Sequence, residues 1–132
     1  MNIQNIRYLK YRIYDMTTAA IIPFQTIDWT TLEKTIHSGI SGSASWQTLQ
    51  WPGLRMRIVE YSPGYLADHW CTKGHIVHCL SGEFVSELLT GESFTLRSGM
   101  TYIVSDELSS HRSHSASGVK LLIIDGTFLK QP

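Results

Sequence analysis

From Trp46 to Asp125 the chain alternates apolar and polar residues in short runs, with a glycine at nearly every junction. The runs read ASWQTLQW, LRMRIVEY, YLADHWC, HIVHCL, EFVSELL, SFTL, MTYIV and VKLLIID, and the breaks include Pro52-Gly53, Pro63-Gly64, Ser81-Gly82, Thr90-Gly91 and Ser98-Gly99. A period of two sends successive side chains to opposite faces of a strand, and glycine supplies the turn conformations between strands. Strands at this spacing predict an all-β fold, an antiparallel sandwich or barrel. Closure would also remove most of the open edges that short strands leave. Upstream the pattern changes. Between Thr26 and Gly39, Thr30 and Glu33 have capping-box spacing, Leu32 and Ile36 stand four apart, and Gly39 serves as a stop. This predicts one short N-terminal helix. The chain therefore divides into an N-terminal extension over 1–15, a helical or loop segment over 16–43, and a barrel over 44–132. SGISGSAS is a brief loop inside a single domain.

Composition narrows the partners. With 132 residues, 42% hydrophobic and 17% charged, there is material for one domain with one core. Eleven basic and eleven acidic residues give a formal net charge of zero, so no broad field steers nucleic acid or an anionic membrane to the surface. A small-molecule ligand is the expected partner, with no nucleic acid and no membrane. No apolar run approaches the roughly 18 residues of a membrane span, and MNIQNIRYLKYRIYD lacks the apolar segment of a secretory signal. A cytoplasmic protein is expected. Arg7, Lys10 and Arg12 are opposed only by Asp15, and Met16 follows, so the first fifteen residues read as a loose extension or as translation from an upstream start codon.

Candidate chemistry concentrates in residues 64–84, which hold three of the six histidines and both cysteines. Two cysteines are too few for a disulfide framework, and in a reducing compartment Cys beside His points to metal or reactivity. If YLADHWC is a strand, His69 and Cys71 share a face with alpha carbons about 6.6 Å apart, close enough to meet one ion. Beyond the reversal at Thr72-Lys73-Gly74, His75, Val77 and Cys79 share one face, and Ile76, His78 and Leu80 the other. The turn returns His75 beside Cys71, so His75 is the inward residue. Cys79 on the same face reads as core packing, His78 and His114 as surface or supporting groups, and His37 as a cation at the end of the predicted helix. On LRMRIVEY, Arg55, Arg57, Val59 and Tyr61 oppose Leu54, Met56, Ile58 and Glu60. Turned inward, a guanidinium could hold a substrate carboxylate in a bidentate contact; turned outward, the arginines form a solvated stripe, the commoner place for charge without a partner. Arg55, Arg57 and Tyr61 are the candidate substrate-binding residues. No phosphate-cradling G-x-x-x-x-G-K, G-x-G-x-x-G, G-x-S-x-G or paired C-x-x-C motif occurs, which removes nucleotide hydrolases, dinucleotide enzymes, α/β-hydrolases and zinc ribbons.

The spacing Gly64, His69, Cys71, His75, Gly82 resembles the first motif of the cupin superfamily, in which a glycine precedes His-x-His, a glutamate follows, and a second glycine closes. Cys71 stands at the second histidine position and His75 at the glutamate position. GMTYIVSDELSSH, from Gly99 to His111, resembles the second motif without its usual Pro and Gly. DHWC also resembles the DHCW-motif cupins, small bacterial proteins of undefined activity. The resemblance spans about residues 44–125. It implies a small β-barrel, commonly a homodimer, whose mouth holds one divalent transition metal on His69, Cys71, His75 and His111. Nitrogen and sulfur donors suit iron, zinc, nickel or copper, whereas magnesium and calcium require oxygen-rich shells. Two functional readings follow. If all four residues bind, the site is a closed zinc tetrahedron bracing a sensor or binding domain. If Cys71 stays free, three histidines leave open positions, as in the iron-dependent thiol dioxygenases among the cupins, and the chain is a metal-dependent enzyme.

Overall fold

The computed structural model describes residues 21–132; the extension expected over 1–15 lies outside them. Among the described residues nine strands follow one another: β1 (Thr35–Ser38), β2 (Ser43–Trp51), β3 (Leu54–Tyr61), β4 (Tyr65–Leu66), β5 (His75–Leu88), β6 (Ser93–Arg97), β7 (Thr101–Val104), β8 (His111–Ser115) and β9 (Val119–Gly126). Every pairing is antiparallel. The all-β architecture read from the alternation is what the chain adopts. Among the described residues, no helix is long and apolar enough to cross a membrane.

β5 links two parts of a curled sheet. Its first half pairs with β7 and β9, and β9 continues through β3 and β2 to β1. Its second half pairs with β6 and β8, and β8 reaches β4. The Ser81-Gly82 break read as a turn between two strands lies instead inside this one strand, just after a register shift between Cys79 and Ser81. Gly82 has φ +84°, and a β-carbon there would lie 2.4 Å from the Gly118 carbonyl oxygen. Only glycine relieves both constraints, and the resulting kink carries the strand from one part of the sheet to the other.

The helix expected between Thr26 and Gly39 is not formed. Asp28 caps a single 3-10 turn at Trp29–Thr31, accepting from the Thr30 amide, and the chain then extends into β1. Two effects outweigh the capping box. Ile36 is 67% exposed and so has no apolar stripe to complete, and the β-branched pair Thr35 and Ile36 takes up a ladder against Trp46 and Ser45. The turn still has a structural purpose, since the buried Gln47 amide donates to the carbonyls of Trp29 and Leu32.

Inside the curl, inward positions stack in layers defined by register. Leu121 pairs with Val59 and Cys79, and Ile123 pairs with Arg57 and Val77. Asp125 pairs with Arg55, and the pairing of Ile76 with Ile124 leaves His75 beside Asp125. The first layer is apolar and joins Ala44, Phe84, Leu96 and Val119 in the core. Cys79, fully buried, is part of that core. The later layers turn polar, and there the interior opens.

Candidate metal and anion site

Backbone pairing sets the cluster. The Cys71 amide donates to the His111 carbonyl at 2.8 Å, and the His111 amide returns a bond to the Cys71 carbonyl at 3.0 Å. This isolated bridge presses the loop before β5 against the start of β8. Gly74 tightens the same loop. A β-carbon there would lie 2.6 Å from the Val104 carbonyl oxygen, and its amide donates to Asp106 at 2.6 Å. His75 then enters β5 with its ring turned inward, as its parity with Val77 and Cys79 requires.

Cys71, His75 and His111 each offer one donor atom, and the three atoms lie within 4.8 Å of one another. His75 Nε2 is 3.4 Å from Cys71 Sγ. Both imidazoles are held from behind. His111 Nδ1 donates to the Ser109 carbonyl at 2.9 Å, and His75 Nδ1 faces Asp125 at 3.3 Å. A carbonyl oxygen can only accept, so Nδ1 of His111 carries a proton and Nε2 is the ring atom left to face the cluster. That Nε2 is buried without a hydrogen-bond partner. Burial raises a thiol's pKa, but the facing imidazoles of His111 and His75 outweigh it and bring Cys71 down to about 5. Burial likewise disfavours a charged His75, but Asp125 and the Cys71 sulfur hold its pKa above the ordinary value.

The donor set fits a transition metal. One thiolate and two imidazole Nε2 atoms, that of His111 buried without a partner, are donors such an ion takes, and oxygen acceptors behind both Nδ1 atoms hold the rings in place. His69 stands apart from this cluster. Its ring is 75% exposed, with Nδ1 2.6 Å from Asp68. The strand that was to carry it ends at Leu66, so the shared face expected for His69 and Cys71 is replaced by a loop. Its side chain lines the rim of the cavity in front of the cluster.

That cavity has a volume of ≈ 220 Å³. Arg55, Arg57 and Tyr61 all line it, so the arginine face of β3 points inward, contrary to the usual solvated stripe. The reason is Asp125, which the sequence reading did not single out. It is 2% exposed and takes Arg55 on both oxygens at 3.1 and 2.9 Å, with Arg57 on one at 3.1 Å. Burial alone would raise this carboxyl, but His75 and the two guanidinium groups hold it well below the usual carboxylate range. Arg57 also lies 4.5 Å from the ring centroid of Trp46, a cation–π contact. Burial pushes the Tyr61 phenol above its ordinary pKa, so it faces the cavity as a neutral group.

The same architecture recurs among solved structures. A protein titled a predicted oxalate decarboxylase from Thermotoga maritima superposes with a TM-score of 0.66 at 14% identity, over 77% of this chain and 99% of that one. An RmlC-like cupin from Shewanella frigidimarina gives 0.61 at 18% identity, over 79% and 91%. The fold is that of the cupins. Ectoine synthase from P. lautus shares it with a TM-score of 0.64 at 15% identity, over 82% and 80%. Identities this low carry the cupin architecture and nothing finer. No protein-family model matches the sequence, and no curated protein matches it.

Proposed function

We propose that this chain is a metal-dependent cupin that binds a small organic acid over a divalent transition metal held by Cys71, His75 and His111. The observation that carries this reading is the pair of imidazoles whose Nδ1 atoms are tied to oxygen while both Nε2 atoms face a low-pKa thiol. A bound metal would supply Lewis acidity at that point. The protein's own residues do the rest. Asp125 orients His75, the Ser109 carbonyl orients His111, and Arg55 and Arg57 offer guanidinium donors to a carboxylate in the cavity. Three donors leave a position for ligand, which favours this reading over a closed structural zinc site. A closed site needs His69 as fourth donor, and His69 is turned to solvent with Asp68.

The test is titration of apoprotein with cobalt(II), watched for a sulfur-to-metal charge-transfer band, alongside metal analysis of protein purified without a histidine tag. One equivalent of metal, the band present in the native protein and absent from Cys71→Ser support the assignment. A stoichiometry near zero, or an unchanged spectrum in Cys71→Ser, removes it. A coordination sphere that already contains His69 and admits no added ligand would turn the reading to the structural zinc site.

A further inference from the structure

An antiparallel sheet with one face in water alternates apolar-in with polar-out. The outer face of this sheet does not. With Leu121, Ile123 and Asp125 turned inward, Leu122 and Ile124 occupy the outer side of β9, so its run LLII is apolar on both faces, the pattern of a strand covered on both. Register carries the outer row across the sheet. Leu49 pairs with Met56, Met56 with Ile124, Ile124 with Ile76 and Ile76 with Ile103, one apolar residue from each of β2, β3, β9, β5 and β7. The first four keep part of their surface open, and Ile103, at the end of the row, is 67% exposed. A continuous apolar band of this kind marks a surface that something covers.

The chain leading into β1 already crosses one corner of this face. Gln47 pairs with Ile58 on the outer side, and its amide donates to the carbonyls of Trp29 and Leu32 at 2.6 and 3.1 Å. Just upstream, where the described residues begin, Ile21 and Phe24 are 91% and 97% exposed. The sequence before them has the composition to continue the cover. Seven of residues 1–15 are Ile, Leu or Tyr, and Leu9, Tyr11 and Ile13 alternate with Lys10 and Arg12; solvated tails are poor in such residues. Length is sufficient, since the row spans about 19 Å at about 4.8 Å per strand spacing and fifteen extended residues reach about 50 Å. Charge favours this segment over a second copy. Arg7, Lys10 and Arg12 against Asp15 give it +2, so in a chain with eleven charges of each sign the rest has eight basic and ten acidic residues, a net of −2. Two such bodies meeting face to face repel, whereas the extension is attracted, and its tether holds it at an effective concentration on the order of millimolar.

We infer that the outer apolar row Leu49, Met56, Ile124, Ile76 and Ile103 is a docking surface for the chain's own N-terminal extension, residues 1–15. The extension lays apolar side chains on the row and keeps its arginines and lysine at the rim. This stands apart from the metal and organic-acid readings, because the row lies on the face of the sheet opposite the cavity.

Arg7, Lys10 and Arg12 make the extension cleavable by trypsin at three points. The full chain is exposed to dilute trypsin under native conditions, and cleavage at these points is followed by mass spectrometry; where opening is fast relative to cleavage, the rate tracks the undocked population. Ile103→Asn is expected to speed cleavage at least about fivefold, since this exposed side chain can lose its contact with the extension without disturbing the core. Leu89→Asn is the control. That residue is 62% exposed and lies off the row, beside Ser110, so its substitution should leave the rate unchanged. No acceleration in Ile103→Asn, or equal acceleration in Leu89→Asn, overturns the inference. The native rate should also hold over a roughly hundredfold dilution, whereas protection lost on dilution gives the face to a second copy and overturns it. Isoleucine-methyl NMR of the native full chain needs no variant. Nuclear Overhauser contacts from the Ile103 and Ile124 methyls to tyrosine rings support docking, because Tyr61, Tyr65 and Tyr102 line the interior and the other three tyrosines are Tyr8, Tyr11 and Tyr14; their absence overturns it.

Discussion

Replacing Asp125 by Asn keeps the shape of the side chain and removes its charge. The carboxylate is 2% exposed and accepts from two guanidinium groups and one imidazole. Arg57, at 6% side-chain exposure, has nowhere to turn when that charge is lost, whereas Arg55, at 26%, can reach water. Breaking a buried ion pair by removing one partner costs about 3–5 kcal/mol, and with only one arginine stranded the low end applies, about 3 kcal/mol. A domain this size has about 5–15 kcal/mol to lose, so Asp125→Asn should fold but unfold at clearly lower urea. The assay is urea unfolding of chelator-treated protein, which keeps metal linkage out of the comparison. Adding Arg57→Met should recover part of the loss, because the double variant no longer strands a buried cation. The pH dependence has a defined sign. The Asp125 carboxyl is held below its unfolded value in the folded protein, so its contribution is complete above the unfolded pKa, roughly pH 4, and is lost as the solution becomes more acid. The difference between native protein and Asp125→Asn should therefore shrink below roughly pH 4. A loss under about 1 kcal/mol at neutral pH, or no recovery in the double variant, refutes the claim that Asp125 holds buried charge.

His111→Ala should lower bound metal more than His78→Ala, because His78 hydrogen-bonds Thr101 on the other face of β5; equal loss in metal analysis would contradict the assignment of the cluster. Metal affinity should weaken from about pH 7 to about pH 5, since imidazole and thiolate must lose their protons to coordinate, and a flat affinity across that interval by competition titration speaks against these ligands. Gly82→Ala combines φ +84° with a β-carbon 2.4 Å from a backbone oxygen, so it should cost roughly 2 kcal/mol or more in thermal unfolding; a neutral substitution would show that β5 does not depend on that kink.

Where pairing partners shared a simple period, the chain was legible. The runs LRMRIVEY and VKLLIID coincide with β3 and β9, the alternation of VKLLIID matches the buried row of β9, and the parity of His75, Val77 and Cys79 matches the buried row of β5. Legibility failed where one local signal competed with tertiary contact. Thr30 and Glu33 spell a helix start, yet the pairing of Thr35 and Ile36 with β2 makes a strand. YLADHWC reads as a strand throughout, yet after Leu66 the Asp68–His69 pair and the Cys71–His111 bridge hold a loop. His69 and Cys71 therefore do not share a strand face. Cys71 meets the cluster because the backbone of residue 111 draws it there, a contact between positions forty apart that no local period encodes.

Asp125 carried a signal of a different kind. It continues the inward row Val119, Leu121, Ile123, and an acid at that parity on an otherwise apolar strand implies a buried cation opposite. The chain offers two candidates at matching parity, Arg55 and Arg57, so the orientation of β3 follows from β9 once the two are paired. The consequence reaches the metal cluster. The carboxylate that draws the arginines into the interior also faces Nδ1 of His75, and so the group that orients this proposed metal ligand is the same group that gathers the positive charge in front of it. An anion arriving at Arg55 competes with Asp125 for that guanidinium, which changes the partner behind His75 without touching the metal's own donors. On the proposed reading, ligand affinity and metal affinity should therefore be coupled through one side chain. Asp125→Asn should loosen metal, through the lost partner of His75, and tighten anion binding, because it removes the competitor for Arg55 and Arg57, whereas His111→Ala, whose imidazole rests on a backbone carbonyl instead, should weaken metal while leaving anion binding by the apoprotein intact.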